Sequence, residues 1–184
     1  MQSNLSYMIS RVAAVTTQTF KLNPQNSTSA SSGSIVRFSL PSNTLLNTRS
    51  IKMFLRPVLA GNNARLPAKI DSLIDRVSLE SGGVTIDGSG LNHYGLLRHA
   101  KDALMGNHTD TVLGHPEMVR QVSYHTGGAA IAADSQEVIA ANQELAVCNW
   151  EGFLGSCAPS IIDTALLPDL VIVVQLAGNN VLTQ

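Results

Sequence analysis

The segment from Gly152 to Gly178, GFLGSCAPSIIDTALLPDLVIVVQLAG, most constrains the fold, because it contains the longest apolar run of the chain. Pro159 and Pro168 bracket residues 160–167. Each proline lacks an amide hydrogen and disfavours helix in the residue before it, so we expect a shaped connection here rather than a helix interior. Residues 170–176, LVIVVQL, are β-branched and aliphatic and too few for a globular helix, which predicts a strand buried on both faces. A strand of this kind requires a sheet around it.

Residues 34–40 and 49–56 alternate between apolar and polar side chains, with the two-residue period of a strand that has one buried side. We expect them to be consecutive strands of an antiparallel sheet. The outward face of the second strand carries Lys52, Phe54 and Arg56. We interpret this face as the solvated side of a sheet, and a nucleic-acid surface is the alternative. The inward residues are Val36, Phe38 and Leu40 in the first segment and Ile51, Met53 and Leu55 in the second.

Residues 74–87, IDRVSLESGGVTID, contain two alternating runs joined by a Gly-Gly connection. Val77 and Leu79 precede the connection, and Val84 and Ile86 follow it. Glycine adopts the positive φ angles that tight hairpin turns demand, so the segment predicts a β-hairpin.

The segment from Leu91 to Leu104 is the one good helix candidate of the sequence, because its apolar residues recur near steps of three and four. Asp87 or Ser89 is expected to cap its N-terminus, and Gly106 to end it. The predicted inward face comprises Leu91, Tyr94, Leu97 or Arg98, Ala100 or Lys101, and Leu104.

Histidines and carboxylates between residues 107 and 135 are the best enzymatic constellation that the sequence offers, since such a loop could hold a metal or supply general acid and base groups. No helical or strand spacing brings them together, and no HExxH, GxSxG, phosphate-cradling or Cys-His signature is present. His93 and His99 are six positions apart, not the three or four that would let them share a metal on one helix face. We therefore expect no enzyme, and no catalytic, cofactor-binding or metal site. The loop residues concerned are His108, Asp110, His115, Glu117 and His125.

Residues 117–157 contain further candidates for secondary structure and packing. Residues 117–125 predict a strand, and residues 136–147 fit either a strand or a helix. Trp150 is expected to be a packing anchor. Cys148 and Cys157 neither form a disulfide framework nor have a second cysteine at metal-ligand spacing, so two reduced thiols are expected.

Composition restricts the partners of the chain. Hydrophobic residues make up 44% of its 184 residues and charged residues only 14%, against the roughly one quarter usual for globular domains, so much of the surface is expected to be neutral. The formal net charge of −1 gives no electrostatic case for nucleic acid or an anionic membrane. No apolar stretch approaches the roughly 18 residues of a membrane span, and the N-terminus lacks the pattern of a signal peptide. Residues 1–33 include a polar Asn/Ser/Thr run and are predicted to be an arm and linker. Their role is left open between an arm that orders against a neighbouring subunit and a disordered leader.

The segment SIIDTALLPDLVIVVQLA resembles part of the major capsid proteins of double jelly-roll viruses, especially those of virophages and polinton-like viruses. The resemblance extends over about residues 34–178, and a hairpin with Asp75 and Asp87 at its two ends is similar to one in the first jelly roll of that family. It implies an all-β fold in which residues 34–184 form a jelly-roll sandwich of two antiparallel sheets with one short helical insertion. The residues that match the family's segment are Ser160, Ile161, Ile162, Asp163, Thr164, Leu166, Leu167, Pro168 and Asp169, followed by residues 171–176.

The resemblance also implies a function. It is that of a structural protein of an icosahedral virus capsid, located in the virion, whose partners are copies of itself in a trimeric capsomer and other capsid proteins, without direct nucleic-acid contact. We expect the chain to be the first half of a longer double jelly-roll protein, and therefore to be insoluble or polydisperse by itself. A single jelly-roll capsid protein, a carbohydrate- or ligand-binding jelly-roll module and a cupin-type enzyme are the alternatives. Aromatic residues are only 4% of the chain, which disfavours an extended sugar-stacking face.

Overall fold

The structure is a computed structural model that describes residues 16–56, 67, 69–87, 91–105, 145–156 and 160–181. These residues form mostly strands in antiparallel sheets, with few helices. The strands are β1 (Ile35–Ser39), β2 (Leu45–Asn47), β3 (Met53–Leu55), β4 (Ile74–Ser81), β5 (Val84–Thr85), β6 (Leu91–Asn92), β7 (Leu145–Val147), β8 (Ile161–Asp163) and β9 (Val171–Leu176). The helices are α1 (Tyr94–Leu104), the single-turn α2 (Phe153–Ser156) and four 3₁₀ turns, at Thr48–Ser50, Ile70–Leu73, Thr164–Leu166 and Asn179–Val181.

The largest sheet has five strands in the order β1-β9-β4-β5, with β6 also paired to β4. Strand β9 lies between β1 and β4, and both pairings are antiparallel. Three consecutive residues of β9, Ile172, Val173 and Val174, are buried, so both faces of this strand are covered. The strand predicted from the apolar run is therefore confirmed, and its two neighbours come from the first half of the chain.

The pairings between the two ends of the chain are nested. β1 pairs β9, β2 pairs β8 and β3 pairs β7, all antiparallel. Strands β1 to β3 thus run alongside strands β7 to β9 as two antiparallel arms, with β4 to α1 lying between them in sequence.

The alternation of buried and exposed residues predicted in 34–40 and 49–56 is confirmed, but only Met53–Leu55 of the second segment form a strand, and the expected pairing of the two segments is wrong. Val36, Leu40 and Met53 are buried while Phe54 is exposed, as the two-residue period requires. β1 and β3 do not pair with each other, because each pairs with a strand from the C-terminal part. The connection between them holds β2 and a 3₁₀ turn, which is too long and too structured for a hairpin loop.

The predicted hairpin is confirmed and consists of β4, β5 and a two-residue turn. Ser81 pairs Val84, and the two residues between them, Gly82 and Gly83, have φ of 56° and 82°. Two successive positive φ angles define the type I′ turn, whose twist matches that of paired strands.

The helix is confirmed, but its start and its inward face differ from the prediction. α1 begins at Tyr94 after His93, whose φ is 52°, while Leu91 belongs to β6. Asp87 does not cap it, because its Oδ1 lies 3.4 Å from the backbone nitrogen of Leu79, and Ser89 and Gly106 lie outside the described residues. The side chains that face inward are Tyr94, Arg98 and, in part, Lys101, whereas Leu97 and Leu104 are exposed. The helix packs through a polar stripe because acidic groups, described below, meet it.

One hydrophobic core joins the sheets. The five-stranded sheet contributes Val77, Leu79, Ile172 and Val174, and the β3–β7 pair contributes residues from both of its strands. Burial of this kind is the main favourable term of folding, at about 25 cal/mol per Å² of apolar surface. The other members include Met53, Leu145, Val147, Ile70, Tyr94, Trp150 and Leu154.

Candidate functional site

A cluster of buried charges fixes α1 to the rest of the fold. The Arg98 Nε lies 3.2 Å from Oδ2 of Asp71, and its Nη1 lies 2.7 Å from Oε1 of Glu151. Lys101 bonds both Glu151 oxygens, at 2.8 and 2.7 Å. Asp71 stands in a 3₁₀ turn before β4 and Glu151 stands after β7, so one arginine joins three parts of the chain. A further ion pair joins Asp102 of the same helix to Lys69, the residue before the 3₁₀ turn of Asp71.

Tyr94 sits at the centre of this cluster and is fully buried. Its hydroxyl donates to the backbone oxygen of Asn149 and accepts from the backbone nitrogen of Glu151, both at 3.2 Å. Burial, followed by the negative charge of Asp71, raises the pKa of Tyr94 above its ordinary value of 10. The phenol therefore stays neutral and keeps its donor.

The pKa of Glu151 is shifted in the opposite sense. Burial alone would raise the pKa of this carboxyl, but hydrogen bonds from Lys101 and Arg98, and then their positive charges, outweigh it and lower the pKa below the ordinary 4.5. Glu151 is therefore ionised at neutral pH, between two cations.

The lowered pKa of Glu151 predicts an acid-sensitive contribution to stability. A depressed folded-state pKa stabilises the fold above the unfolded value, near 4.5, and that stabilisation is lost as the pH falls through the folded-state pKa. We expect the difference in free energy of unfolding between the native chain and Glu151→Gln to be largest near pH 7 and to shrink below pH 4.5. Urea titrations at pH 7, 5 and 3 measure it. A difference that stays constant over this range would contradict the ion pairing of Glu151.

The chemistry available to the cluster is that of ion pairing. Its carboxylates accept from cations, and its phenol is held neutral, which leaves neither a nucleophile nor a base poised near pH 7. Across the part of the chain that the structure describes, no three His, Cys, Asp or Glu side chains lie close enough together to hold a metal ion.

The residues singled out in the sequence are dispersed. His93 is exposed, with Nδ1 at 3.5 Å from Oδ1 of Asp75, and His99 is exposed on α1. Cys148 is half-buried, with its Sγ 3.8 Å from the carbonyl oxygen of Ala146. Trp150 is buried in the core, as expected of a packing anchor, and its Nε1 donates to the backbone oxygen of Ile51 at 2.9 Å.

The outward residues predicted for the second alternating segment, Lys52, Phe54 and Arg56, are exposed. Several other predictions lie outside the described residues. These are the loop group His108, Asp110, His115, Glu117 and His125, the strand at 117–125, most of the segment 136–147, and Cys157.

A second constellation, which we call the clasp, is the antiparallel pair β2–β8 with the 3₁₀ turn that follows each strand. The pair is centred on Leu46 opposite Ile162. Asn47 ends β2 with φ −86° and ψ 107°, and Asp163 ends β8 with φ −83° and ψ 107°. Each side chain accepts from the backbone nitrogen two residues on, at 3.1 and 2.9 Å. The clasp therefore has an approximate local two-fold axis, and LLNTRS and IIDTAL are its two halves.

The threonine in each half of the clasp is buried and bonds to the opposite half. The backbone nitrogen of Thr48 donates to the carbonyl oxygen of Ser160 at 2.8 Å, and that of Thr164 donates to the carbonyl oxygen of Thr44 at 3.0 Å. Both hydroxyls bond the same carbonyls, at 3.1 and 2.9 Å. The Thr164 hydroxyl also accepts from the nitrogen of Thr44 at 2.9 Å, a bond that the Thr48 hydroxyl does not make to Ser160.

This difference predicts unequal effects of two matched substitutions. Thr164→Val removes a hydroxyl that both donates and accepts, and it leaves two backbone groups of Thr44 with one bond fewer each. A lost partner in a buried place costs about 1–3 kcal/mol. We expect Thr164→Val to lower the free energy of unfolding by about 2 kcal/mol, and Thr48→Val, which removes a single bond to Ser160, to lower it by less. Chemical denaturation measures both variants, and equal losses would contradict the asymmetry.

Large apolar side chains are exposed at several places. Leu45, Ile161 and Leu166 are exposed on the clasp, and Phe54 is exposed on β3. Isolated exposed apolar residues are normal, but contiguous ones mark interaction surfaces. The other exposed large apolar residues are Leu96, Leu97, Leu104 and Met105 at α1, Phe20 and Leu22 before β1, Ile35 on β1 and Val84 on β5.

Sequence reasoning missed both the charge cluster and the clasp. A signal for the first was present, since Tyr94, Arg98 and Lys101 share one helix face at steps of four and three. Its acidic partners are 27 and 53 positions from Arg98, and no local pattern connects them. A signal for the clasp was the pair of similar segments LLNTRS and IIDTAL.

Comparisons with protein-family models, curated proteins and solved structures find no match to this chain. Within the described residues, no helix is long and apolar enough to cross a membrane.

Proposed function

We propose that this chain is a structural protein of an icosahedral virus capsid, built as a jelly roll, that assembles with copies of itself into trimeric capsomers and with other capsid proteins in the virion. In this proposal the chain binds no cofactor and catalyses no reaction. Its surface is the functional site.

The nested strand pairing carries the proposal. A jelly roll arises when a long antiparallel pair of arms wraps around a core, so that the first strand pairs the last and the next strands pair in turn. The pairings β1–β9, β2–β8 and β3–β7 fit this scheme. The position of β9 between β1 and β4 fits the scheme as well. Wrapping of the two arms brings β4, the strand that follows the first arm, beside β9, the last strand.

Two further observations support a structural role. The segment of Asp163 and Thr164, which resembles the capsid proteins, forms half of the clasp, where Asp163 caps a turn and Thr164 is buried. This segment therefore specifies a structural element rather than a reaction centre. The charged fraction of 14% and the exposed apolar residues of the clasp and α1 suit a surface covered by neighbouring subunits.

Electron microscopy combined with mass determination tests the proposal. The chain is expressed alone and together with any coding sequence that follows Gln184 in its source genome. From the joint expression we expect trimers, or hexagonal plates and shells, whereas the chain expressed alone is expected to be insoluble or polydisperse. A monodisperse monomer that assembles under neither condition would overturn the capsid proposal and favour the ligand-binding module.

A further inference from the structure

The outer edge of β1 is closed by the chain that precedes it. Alternate residues of an edge strand direct their N–H and C=O groups away from the sheet, where they can bind another strand. The side-chain amide of Asn26 binds two of these groups: its Nδ2 donates to the oxygen of Ile35 at 2.5 Å, and its Oδ1 accepts from the nitrogen of Arg37 at 3.3 Å. The backbone nitrogen of Gln25 donates to the oxygen of Arg37 at 2.8 Å. Gln25 and Asn26 thus take the place of a neighbouring strand.

The residues before this contact are mostly exposed. Residues 16–24 form neither helix nor strand, and nearly all are exposed. Among them Phe20 and Leu22 are 59% and 38% exposed, at the two-residue spacing of a strand face. When extended, nine residues span about 30 Å, which reaches well beyond the edge at which they are anchored.

The connection between the contact and β1 has the composition of a hinge. Residues 27–34, STSASSGS, are almost wholly exposed and are held by short-range bonds within the loop, such as the bond from the backbone nitrogen of Ser29 to Oγ of Ser27 at 3.2 Å. Gly33, with φ of 75°, donates to the backbone oxygen of Ala177 at 3.0 Å and anchors the end of the loop. The loop can redirect the arm without disturbing β1.

We propose that residues 16–26 are an arm exchanged between copies of this chain, so that Gln25 and Asn26 of one copy occupy the β1 edge of a second copy. The exchanged contact uses the same hydrogen bonds as the contact within one chain, which makes exchange of identical elements a low-cost route to association. Exchange keeps the β1 edge of both copies closed and links the two copies through the exposed loop of residues 27–34. The inference deepens the proposed function and rests on its self-association.

Disulfide trapping between two differently tagged chains tests the exchange. Both chains carry Cys148→Ala and Cys157→Ala. One adds Gln25→Cys, and the other adds Arg37→Cys, at positions joined by a backbone hydrogen bond. The two are co-expressed and oxidised. We expect a band of two-chain mass that carries both tags on a non-reducing denaturing gel.

Two controls make the trapping specific. A chain with Lys52→Cys instead of Arg37→Cys places an exposed thiol at the residue before β3 and should give at least fivefold less of the mixed band. Asn26→Ala in the chain that carries Gln25→Cys removes both amide contacts, and it should lower the yield of the mixed band severalfold.

The outcomes separate the two proposals. Particles or trimers without the mixed band would overturn arm exchange and leave the capsid proposal standing. A mixed band from chains that form no larger assembly would support arm exchange and count against the capsid. A third variant carries both Gln25→Cys and Arg37→Cys. If its disulfide forms only within single chains and never between two chains, the exchange is wrong.

Discussion

Replacing Arg98 by methionine is expected to lower the free energy of unfolding by about 3–5 kcal/mol, the usual effect of removing one partner from a buried ion pair. The guanidinium bonds both Asp71 and Glu151, at 3.2 and 2.7 Å, and so ties α1 to two other parts of the chain. Asp71 is only 1% exposed, so the loss of the facing cation is not offset by water. Methionine is apolar and unbranched, and it matches the arginine side chain as far as the position of Nε. Urea denaturation at pH 7 measures the change.

Lys101→Met is the matched control for Arg98→Met. It removes a cation from the same helix face and from the same carboxylate of Glu151, but the Lys101 side chain is 43% exposed where that of Arg98 is 9% exposed. Exposed ion pairs contribute about 0–1 kcal/mol, so we expect a loss within that range. Equal losses in the two variants would show that burial of the arginine does not decide the effect, and a loss below 1 kcal/mol for Arg98→Met would mean that the cluster does not hold the helix.

Local patterns in the sequence predicted individual elements well and their partners poorly. The period of residues 34–40 predicted a strand with Val36 and Leu40 inward, and the Gly-Gly pair predicted the turn at Gly82 and Gly83. Both depend on neighbours in sequence. The pairing of β1 with β9 joins residues about 136 positions apart, as Phe38 with Ile172 shows at 134 and Ile35 with Gln175 at 140. No repeat of polar and apolar letters specifies which distant strand fills an edge.

The inward face of α1 shows why an apolar stripe is an incomplete guide to packing. Leu97 and Leu104 satisfy the helical period but are exposed, whereas Arg98 is buried. A charged side chain is buried when partners of opposite charge meet it, and those partners are supplied by other parts of the fold. The helical residues of the charge cluster could be predicted from the shared face of Tyr94, Arg98 and Lys101. Their burial and their acidic partners could not.

Gly95→Ala is expected to destabilise the chain by about 1–3 kcal/mol, the typical range for overpacking, although alanine is the better helix former by about 1 kcal/mol. A Cβ at this position would lie 2.8 Å from Cα of Ser72 and 3.0 Å from the backbone oxygen of Asp71. Both atoms belong to backbone, which cannot turn aside as a flexible side chain can. Gly95 therefore sets how closely α1 approaches the 3₁₀ turn that carries Asp71.

To relieve the contact of a Cβ at Gly95, α1 would have to move away from the 3₁₀ turn, which would lengthen the hydrogen bond between Arg98 and Asp71. The destabilising effects of Gly95→Ala and Arg98→Met should therefore be less than additive when the two are combined. Ala100→Gly on the exposed face of α1 is the matched control, because it reports helix propensity without contact and should cost about 1 kcal/mol. Thermal and urea unfolding of the three single variants and of the combined Gly95→Ala and Arg98→Met variant measure these effects. If Gly95→Ala stabilises the chain, propensity outweighs the contact, and the close approach of α1 to the turn is not what positions the charge cluster.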